Sequence, residues 1–188
     1  NSYVWKGGEH MEIRIAGVTR ESVVDGPGLR FVIFVQGCPH HCPECHNPQT
    51  HDPAGGTLTT TEVLWEMINA TKLIRGVTFS GGEPFMQAKP LAELARKIKQ
   101  EGLNIVTYTG FTYEQLLAIA LRQLAVRDLL HLTDILVDGP YVAAKRDLSL
   151  AFRGSSNQRL IDVPKSLAAG KVVLWKDDWL DDCLPRLA

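Results

Sequence analysis

The sequence has no long apolar run and almost no net charge. No uninterrupted apolar stretch reaches the ~18 residues that a membrane-spanning helix needs, so we expect no membrane anchor. The start shows no basic segment followed by an apolar one, as a secretory signal would. Because 20 Lys and Arg balance 21 Asp and Glu, giving a net charge of −1, no general attraction to nucleic acid or anionic membranes is indicated. We therefore expect neither nucleic acid nor a membrane as a partner.

Cysteines are also few, and they are unevenly spread. The chain contains four cysteines, of which Cys38, Cys42 and Cys45 lie on one short stretch and Cys183 lies near the C-terminus. This is not the pattern of a disulfide framework, so we expect a reducing, cytoplasmic location. We interpret the isolated Cys183 as a small packing residue.

The length and composition predict a single domain. The 188 residues, 45% of them hydrophobic, are enough to build a core. Residues 1–10 precede the first methionine and are interpreted as an expression remnant or a loose extension. The domain then spans residues 11–188, with residues 160–188 as a C-terminal appendage to which the sequence assigns no role.

Strand-like and helix-like segments alternate between residue 30 and about residue 140. The predicted strands are 11–19, 30–36, 76–80, 103–108, 134–138, 160–163 and 171–175. The first predicted helix begins at 59–62, where Thr59 and Glu62 have the spacing of a capping box, and its apolar stripe includes Val63 and Leu73. The other predicted helices cover 90–101, 113–121, a stretch ending near 130, and 177–184. This alternation predicts an α/β fold with a parallel sheet. Because a closed eight-stranded barrel takes about 250 residues, we expect a partial, open β/α barrel.

The three clustered cysteines follow the predicted strand 30–36 directly. Cys38, Cys42 and Cys45 stand at offsets of 0, 4 and 7 on the loop that leaves this strand. An iron–sulfur cubane normally takes four cysteine ligands. Three ligands on one loop would leave one iron open to bind a substrate directly.

A zinc site is the alternative for the same stretch. The three cysteines with His40, His41 or His46 could form a Cys3His site. Zinc ribbons and fingers usually bring their ligands in two separated pairs, and the second pair is missing here. The pattern therefore favours the cluster, and we interpret His40 and His41 as solvated loop residues.

A second polar cluster follows the predicted strand 76–80. Ser-Gly-Gly-Glu-Pro at 80–84 places two glycines, whose backbone can approach a ligand closely, next to the carboxylate of Glu83. That carboxylate could accept a hydrogen bond from an amino acid's ammonium group. The alternative is an ordinary glycine turn between a strand and a helix. In parallel α/β folds such strand ends meet at one edge, so we expect this cluster near the cysteines.

The motifs together resemble a known superfamily. The cysteine spacing, followed by Gly-Gly-Glu-Pro at 81–84, resembles the radical S-adenosylmethionine enzymes. Asp-Gly-Pro-Gly-Leu-Arg at 25–30 resembles the activases of glycyl-radical enzymes within that superfamily. Residues 136–141 and 153–158 are similar to the activating proteins of anaerobic (class III) ribonucleoside-triphosphate reductase. The resemblance covers roughly residues 13–159.

The resemblance implies a fold of the radical S-adenosylmethionine type and a radical chemistry. One [4Fe-4S] cluster, bound by Cys38, Cys42 and Cys45, would cleave S-adenosylmethionine reductively to a 5′-deoxyadenosyl radical. That radical would take a hydrogen atom from a glycine in the large subunit of the reductase, with reduced flavodoxin or ferredoxin as electron donor. The alternatives are an activase of the pyruvate formate-lyase type, a radical enzyme acting on a small molecule, and a zinc-binding module.

The resemblance also implies which residues bind S-adenosylmethionine. They are Glu44, Cys45, His46, Gly81, Gly82, Glu83, Thr109 and Asp138. Many members of the superfamily have an aromatic residue before the third cysteine, where this chain has Glu44, so stacking on the adenine is not expected from that position. For Asp138 a turn-capping role is the alternative. We expect the loops 25–28 and 153–158 to border the open side of the barrel, where a glycine loop of the partner would enter.

Overall fold

The computed structural model describes residues 10–177. Its strands are β1 (Glu12–Ser22), β2 (Arg30–Val35), β3 (Thr57–Thr60), β4 (Gly76–Gly81), β5 (Asn104–Tyr108), β6 (Ile135–Asp138) and β7 (Arg159–Asp162). Its α-helices are α1 (Thr61–Ala70), α2 (Ala88–Gln100), α3 (Tyr113–Ala120), α4 (Leu124–Leu132) and α5 (Val163–Ala169). All but the last residue of the predicted N-terminal extension 1–10 lies outside the described residues, as do Cys183 and all but the first residue of the predicted helix 177–184.

The seven strands form one sheet in the order β3-β1-β2-β4-β5-β6-β7. The four central strands, β2, β4, β5 and β6, are parallel, whereas β1 and β7 join them antiparallel and β3 pairs antiparallel with β1. In the described part of the chain β3 and β7 do not pair with each other, so the barrel is open, which confirms the predicted fold class. None of the helices within residues 10–177 is long and apolar enough to cross a bilayer.

Successive side chains of each strand lie on opposite faces of the sheet. Phe31, Ile33 and Val35 of β2 are buried in the main core, which packs against the helices. Helix α2 adds the buried side chains of Leu91, Leu94, Ala95 and Ile98 to this core. Burial of each such large apolar side chain stabilises the fold by about 1.5–3 kcal/mol. This core fixes the parallel strands, and thereby their carboxyl ends.

The start of the first helix differs from the prediction. Helix α1 begins at Thr61, and the hydroxyl of Thr60 accepts a hydrogen bond from the backbone N–H of Val63. The predicted capping box of Thr59 and Glu62 is therefore wrong, because residues 57–60 pair with β1 as strand β3. Threonine suits both a strand and a helix N-cap, so the composition alone did not separate the two.

Two further predictions for local structure are wrong, and one helix was missed. Val63 and Leu73 are exposed rather than part of the buried stripe. Residues 171–175 form no strand and contribute only a bridge between Leu174 and Ile161. Helix α5 was not expected; the carboxylate of Asp162 caps it by accepting a hydrogen bond from the backbone N–H of Lys165.

Candidate active site

The carboxyl ends of the parallel strands surround a cavity of about 230 Å³. It is lined by Asp25, Phe34, Cys38, His40, Cys42, Cys45, His46, Asn47, Ser80, Gly81, Gly82, Tyr108, Thr109, Gly110, Gly139, Tyr141, Gly154 and Gln158. The structure thus brings the cysteine loop and the Gly-Gly-Glu-Pro stretch to one place. A larger cavity of about 500 Å³ lies where the strands begin, lined in part by Gly28, Asn104 and Ile135, and contains none of the predicted site residues.

Backbone hydrogen bonds shape the cysteine loop. The N–H groups of Gly37 and Cys38 donate to the carbonyls of Thr50 and His51, at 2.7 and 3.1 Å. Within the loop, His41 and Glu44 adopt positive φ values of 47° and 55°, which non-glycine residues rarely do. Such strained backbone conformations occur often at functional sites, where the surrounding structure holds the loop in place.

The three thiols of this loop are free and partly buried. Burial raises the pKa of the Cys38 thiol, and the negative charge of Glu83 adds to that increase. A bound metal reverses this, because a coordinating thiol is deprotonated. No three Cys, His, Asp or Glu side chains in the described residues stand close enough to hold one metal ion. An iron–sulfur cluster does not need that convergence, since each thiolate binds its own iron, so the donor set fits a cluster with three cysteine ligands.

The two glycines of the Gly-Gly-Glu-Pro stretch pack against the protein's own backbone. The N–H of Gly82 donates to the carbonyl of Val35 at 2.8 Å, and the N–H of Glu83 donates to the carbonyl of Gly37 at 2.8 Å. A Cβ atom at Gly82 would lie 2.3 Å from the carbonyl oxygen of Gly37. The absence of a side chain therefore lets β4 meet the start of the cysteine loop, and these two N–H groups have protein acceptors.

The carboxylate of Glu83 is fully buried and surrounded by protein donors. It accepts hydrogen bonds from the backbone N–H groups of Phe85 (3.1 Å) and Gly110 (2.9 Å) and from the Thr109 hydroxyl (2.9 and 3.0 Å). Nε2 of His40 lies 2.6 Å from Oε2 of Glu83. Glu83 itself does not line the cavity, whereas the neighbouring Gly81 and Gly82 do.

His40 is not the solvated residue that the sequence suggested. Only 16% of its side chain is exposed, and its ring packs edge-on against Phe111 with 4.5 Å between ring centroids. His41 is exposed, as predicted. His46 is exposed, but it lines the cavity and packs against Tyr141 at 4.6 Å between centroids. Glu44 is also exposed and does not line the cavity.

Asp138 lies beside the cavity but points its carboxylate elsewhere. It is buried, accepts a hydrogen bond from the backbone N–H of Tyr113 at 2.8 Å, and pairs with Arg159. The carboxylate therefore lies at the N-terminus of helix α3, which begins at Tyr113, and this is a helix contact that the turn-capping alternative did not describe. Its neighbour Gly139 does line the cavity.

Two loops that were expected to border the opening do reach the cavity. Asp25 lines it, and Arg30 holds the 25–28 loop by donating to the carbonyl of Pro27 at 3.0 Å. Burial lowers the pKa of Arg30 to about 10, which leaves it charged at neutral pH. On the other loop, Gln158 accepts hydrogen bonds from the N–H groups of Gly154 and Ser155.

From the sequence, neither Tyr108 nor Tyr141 was assigned a role of its own, although Tyr141 ends the stretch 136–141 that carries part of the resemblance. Tyr108 ends β5 and donates its hydroxyl hydrogen to the carbonyl of Phe152 at 2.6 Å, and burial raises its pKa. Its position at the end of a parallel strand, next to Thr109, was a signal that could have found it. Tyr141 lies on an irregular segment, for which strand periodicity gives no guidance.

Comparison with known proteins identifies the family. Residues 24–161 match the protein family described as the 4Fe-4S single cluster domain. The anaerobic ribonucleoside-triphosphate reductase-activating protein of Escherichia coli K12 is 36% identical over 144 residues, covering 72% of this chain and 90% of the relative. The chain belongs to this activating-protein family. The corresponding protein of Haemophilus influenzae is 31% identical over 144 residues, covering 72% of this chain and 89% of that protein.

A second group of activating enzymes is also similar. The pyruvate formate-lyase-activating enzyme of Clostridium pasteurianum is 36% identical over 130 residues, covering 64% of this chain and 54% of that enzyme. The crystal structure of QueE from Escherichia coli aligns over 55% of this chain and 54% of its own, with 22% identity and a TM-score of 0.43, which is too partial a likeness to support an inference. The predicted family is thus confirmed: the chain is an activase of the oxidoreductase class and carries a 4Fe-4S cluster domain.

Proposed function

We propose that this activase uses one [4Fe-4S] cluster and S-adenosylmethionine to generate the glycyl radical of an anaerobic ribonucleoside-triphosphate reductase. The observation that carries the proposal is the shared cavity: three free thiols of one loop line the same space as the glycines that end β4 and follow β5. The relatives of which about nine tenths align with this chain are named as activating proteins of that reductase, which supports the proposal. Reduced flavodoxin or ferredoxin is the proposed electron donor, and the cytoplasm the proposed location.

In this proposal the cysteines hold the cluster and leave one iron without a protein ligand. Cys38, Cys42 and Cys45 each bind one iron as thiolates. With one electron from the donor, the bound cluster and S-adenosylmethionine would supply a 5′-deoxyadenosyl radical, with methionine as the other product. This radical would take a hydrogen atom from a glycine Cα, giving 5′-deoxyadenosine and the glycyl radical. The protein's own contribution is to orient the cofactor and to exclude competing reactions.

The residues proposed to bind S-adenosylmethionine lie along the cavity wall. They are the backbone of Gly81 and Gly82, the backbone around Thr109, and the ring of His46. The aromatic rings of His46 and Tyr141 form one side of the cavity, and an adenine ring could pack against such a side. Glu44 is not retained in this set because it lies outside the cavity lining.

The proposed macromolecular substrate is an extended glycine loop of the reductase. Asp25 of one loop and Gly154 and Gln158 of another line the cavity, so both loops border the route that this segment would take. Glycine lacks a side chain, which lets its Cα approach a buried reagent closely. Since the net charge of the chain is −1, we expect docking to depend on shape, with only modest salt dependence.

An anaerobic reconstitution experiment tests this proposal. Cluster-loaded protein, S-adenosylmethionine and a reductant are mixed with the reductase, and the electron paramagnetic resonance spectrum is recorded. We expect a glycyl-radical doublet on the reductase. A parallel reaction with pyruvate formate-lyase tests the second candidate, which the similarity to its activating enzyme favours. Formation of 5′-deoxyadenosine without a radical on the reductase would contradict the partner assignment, and zinc in place of iron and sulfide would contradict the cluster.

A further inference from the structure

We infer that the Glu83 carboxylate anchors the cysteine loop through His40 and does not receive the ammonium group of S-adenosylmethionine. This inference rests on the proposed function, because it concerns how the chain prepares its cluster and cofactor sites. The motif resemblance implied that Glu83 binds the cofactor, and the pattern of the cysteine loop predicted that His40 is solvated. The geometry gives both residues a different role.

Glu83 connects three separate parts of the site. Its Oε1 accepts from the N–H of Phe85, the second residue of the short 3-10 turn Pro84–Gln87 that follows the glycines. The hydroxyl of Thr109 and the N–H of Gly110 reach it from the end of β5. His40 reaches it from the middle of the cysteine loop. One carboxylate therefore fixes the mutual position of β4, β5 and the loop.

The hydrogen-bonding capacity of this carboxylate is already filled. An ionised carboxylate offers about four lone-pair sites. Four protein groups donate to it: two backbone N–H groups, the hydroxyl of Thr109 and the ring of His40. Glu83 is also 0% exposed. A ligand ammonium would have to displace one of these donors and leave it buried without an acceptor, which is unfavourable.

His40 fits its position closely, as an anchoring residue should. A Cβ atom at Gly110 would lie 2.4 Å from the His40 ring, so this ring occupies space that only a glycine leaves. Phe111 packs against the same ring. Because His40 lies between Cys38 and Cys42, holding its ring restrains where two of the three ligand thiols can be. We classify His40 and Glu83 as positioning residues.

Four variants test whether Glu83 positions the cysteine loop through His40 or binds S-adenosylmethionine. Glu83→Gln removes the charge, His40→Ala removes the donor, and His40→Gln replaces the ring with an amide that can still donate. His41→Ala is the matched control, because His41 is on the same loop but exposed. For each protein we would measure the rate of iron loss to a chelator under argon, and the affinity of the cluster-loaded form for S-adenosylmethionine.

If Glu83 and His40 together hold the cysteine loop, a change of either residue should weaken retention of the cluster. A charge-assisted hydrogen bond is worth ~1.5–3 kcal/mol, so iron loss should be faster by about 10-fold or more in both Glu83→Gln and His40→Ala. A double variant that combines Glu83→Gln with His40→Ala should lose iron no faster than either single variant. His40→Gln should retain most of the iron, and His41→Ala should lose iron at the wild-type rate. The affinity for S-adenosylmethionine should fall by similar factors in Glu83→Gln and His40→Ala.

The opposite pattern would overturn the inference. If Glu83→Gln alone lost affinity for S-adenosylmethionine by tenfold or more, while retaining iron like the wild type, Glu83 would be a cofactor ligand. Equal iron retention in His40→Ala and His41→Ala would also overturn it. Absence of iron and sulfide from the wild-type protein would instead overturn the proposed function, and this inference with it.

Discussion

Arg159 holds the carboxylate of Asp138 with two hydrogen bonds. Nη2 lies 2.5 Å from Oδ2 and Nε lies 3.0 Å from Oδ1. Only 1% of the Asp138 side chain is exposed, against 33% for Arg159. The same guanidinium also reaches Glu114 of α3 at 2.7 Å. This arginine therefore ties β7 and α3 to the end of β6, next to the cavity.

We expect Arg159→Met to destabilise the protein strongly. Among residues 10–177, the substitution would leave the buried carboxylate of Asp138 with one donor, the N–H of Tyr113. Breaking a buried ion pair by removing one partner costs about 3–5 kcal/mol, and the partial exposure of Arg159 places the expected loss near the lower end. Chemical denaturation of the cluster-free protein measures it.

The matched control is Arg96→Met, which removes a surface ion pair with Asp128. Both partners of that pair are substantially exposed, so its loss should cost at most about 1 kcal/mol. Equal losses in the two variants would show that Asp138 does not depend on its partner.

The contact with Glu114 predicts a small pH dependence of stability. The hydrogen bond from Arg159 lowers the pKa of Glu114 below its ordinary value of 4.5. A carboxyl group whose pKa is lower in the folded state stabilises the protein above its ordinary pKa, and loses that contribution as the pH falls through the lowered value. Because Glu114 is exposed, the effect should be only about 0.2–1 kcal/mol.

Comparing the unfolding free energy of the wild type with that of Glu114→Gln between pH 7 and pH 3 tests this. The advantage of the wild type should be constant down to about pH 5 and should then shrink. An advantage that grows on acidification would reverse the predicted sign.

The sequence predicted the sheet because its signals were redundant. The strand Arg30–Val35 was marked by β-branched and aromatic residues, by the glycine that follows it and by the position of the cysteines. Helix α2 was marked by its apolar stripe and by Gly102, which follows it at φ 75°. The meeting of the site loops followed from the rule that sites lie at the carboxyl ends of parallel strands.

The parts that were missed depend on tertiary contacts. Residues 57–60 became a strand because β1 offers them an edge to pair with, which no local signal states. Likewise, nothing in the sequence says that the acceptors of Glu83 are filled from Thr109, Gly110 and His40, since these residues lie 26 to 43 positions away. A motif gives the residue types of a site, and only the fold gives the partners of each side chain.

We expect Gly82→Ala to distort the site for steric reasons alone. The added Cβ would lie 2.3 Å from the carbonyl oxygen of Gly37, a backbone atom that cannot rotate away. Overpacking of this kind typically costs about 1–3 kcal/mol. The variant should therefore lower the unfolding free energy of the cluster-free protein by that amount, before any cofactor is added.

Gly17→Ala is the control for this substitution. Gly17 has no atom within 4 Å of the added Cβ and does not have a positive φ, so the change should be neutral or slightly stabilising. If Gly82→Ala were as stable as Gly17→Ala and failed only in binding S-adenosylmethionine, the glycine would be needed for the ligand rather than for packing.

The three clustered cysteines should be individually essential for the cluster, and Cys183 should not be. Cys38, Cys42 and Cys45 line one cavity, and a cluster that already has one iron without a protein ligand has no spare thiolate to replace a lost one. Each should be changed to Ala, and iron and sulfide per chain measured after anaerobic reconstitution, with Cys183→Ala as the control. We expect at least a tenfold loss of iron in the first three variants and full loading in the fourth. Retention of the cluster by Cys42→Ala, or its loss in Cys183→Ala, would show that the ligands are assigned wrongly.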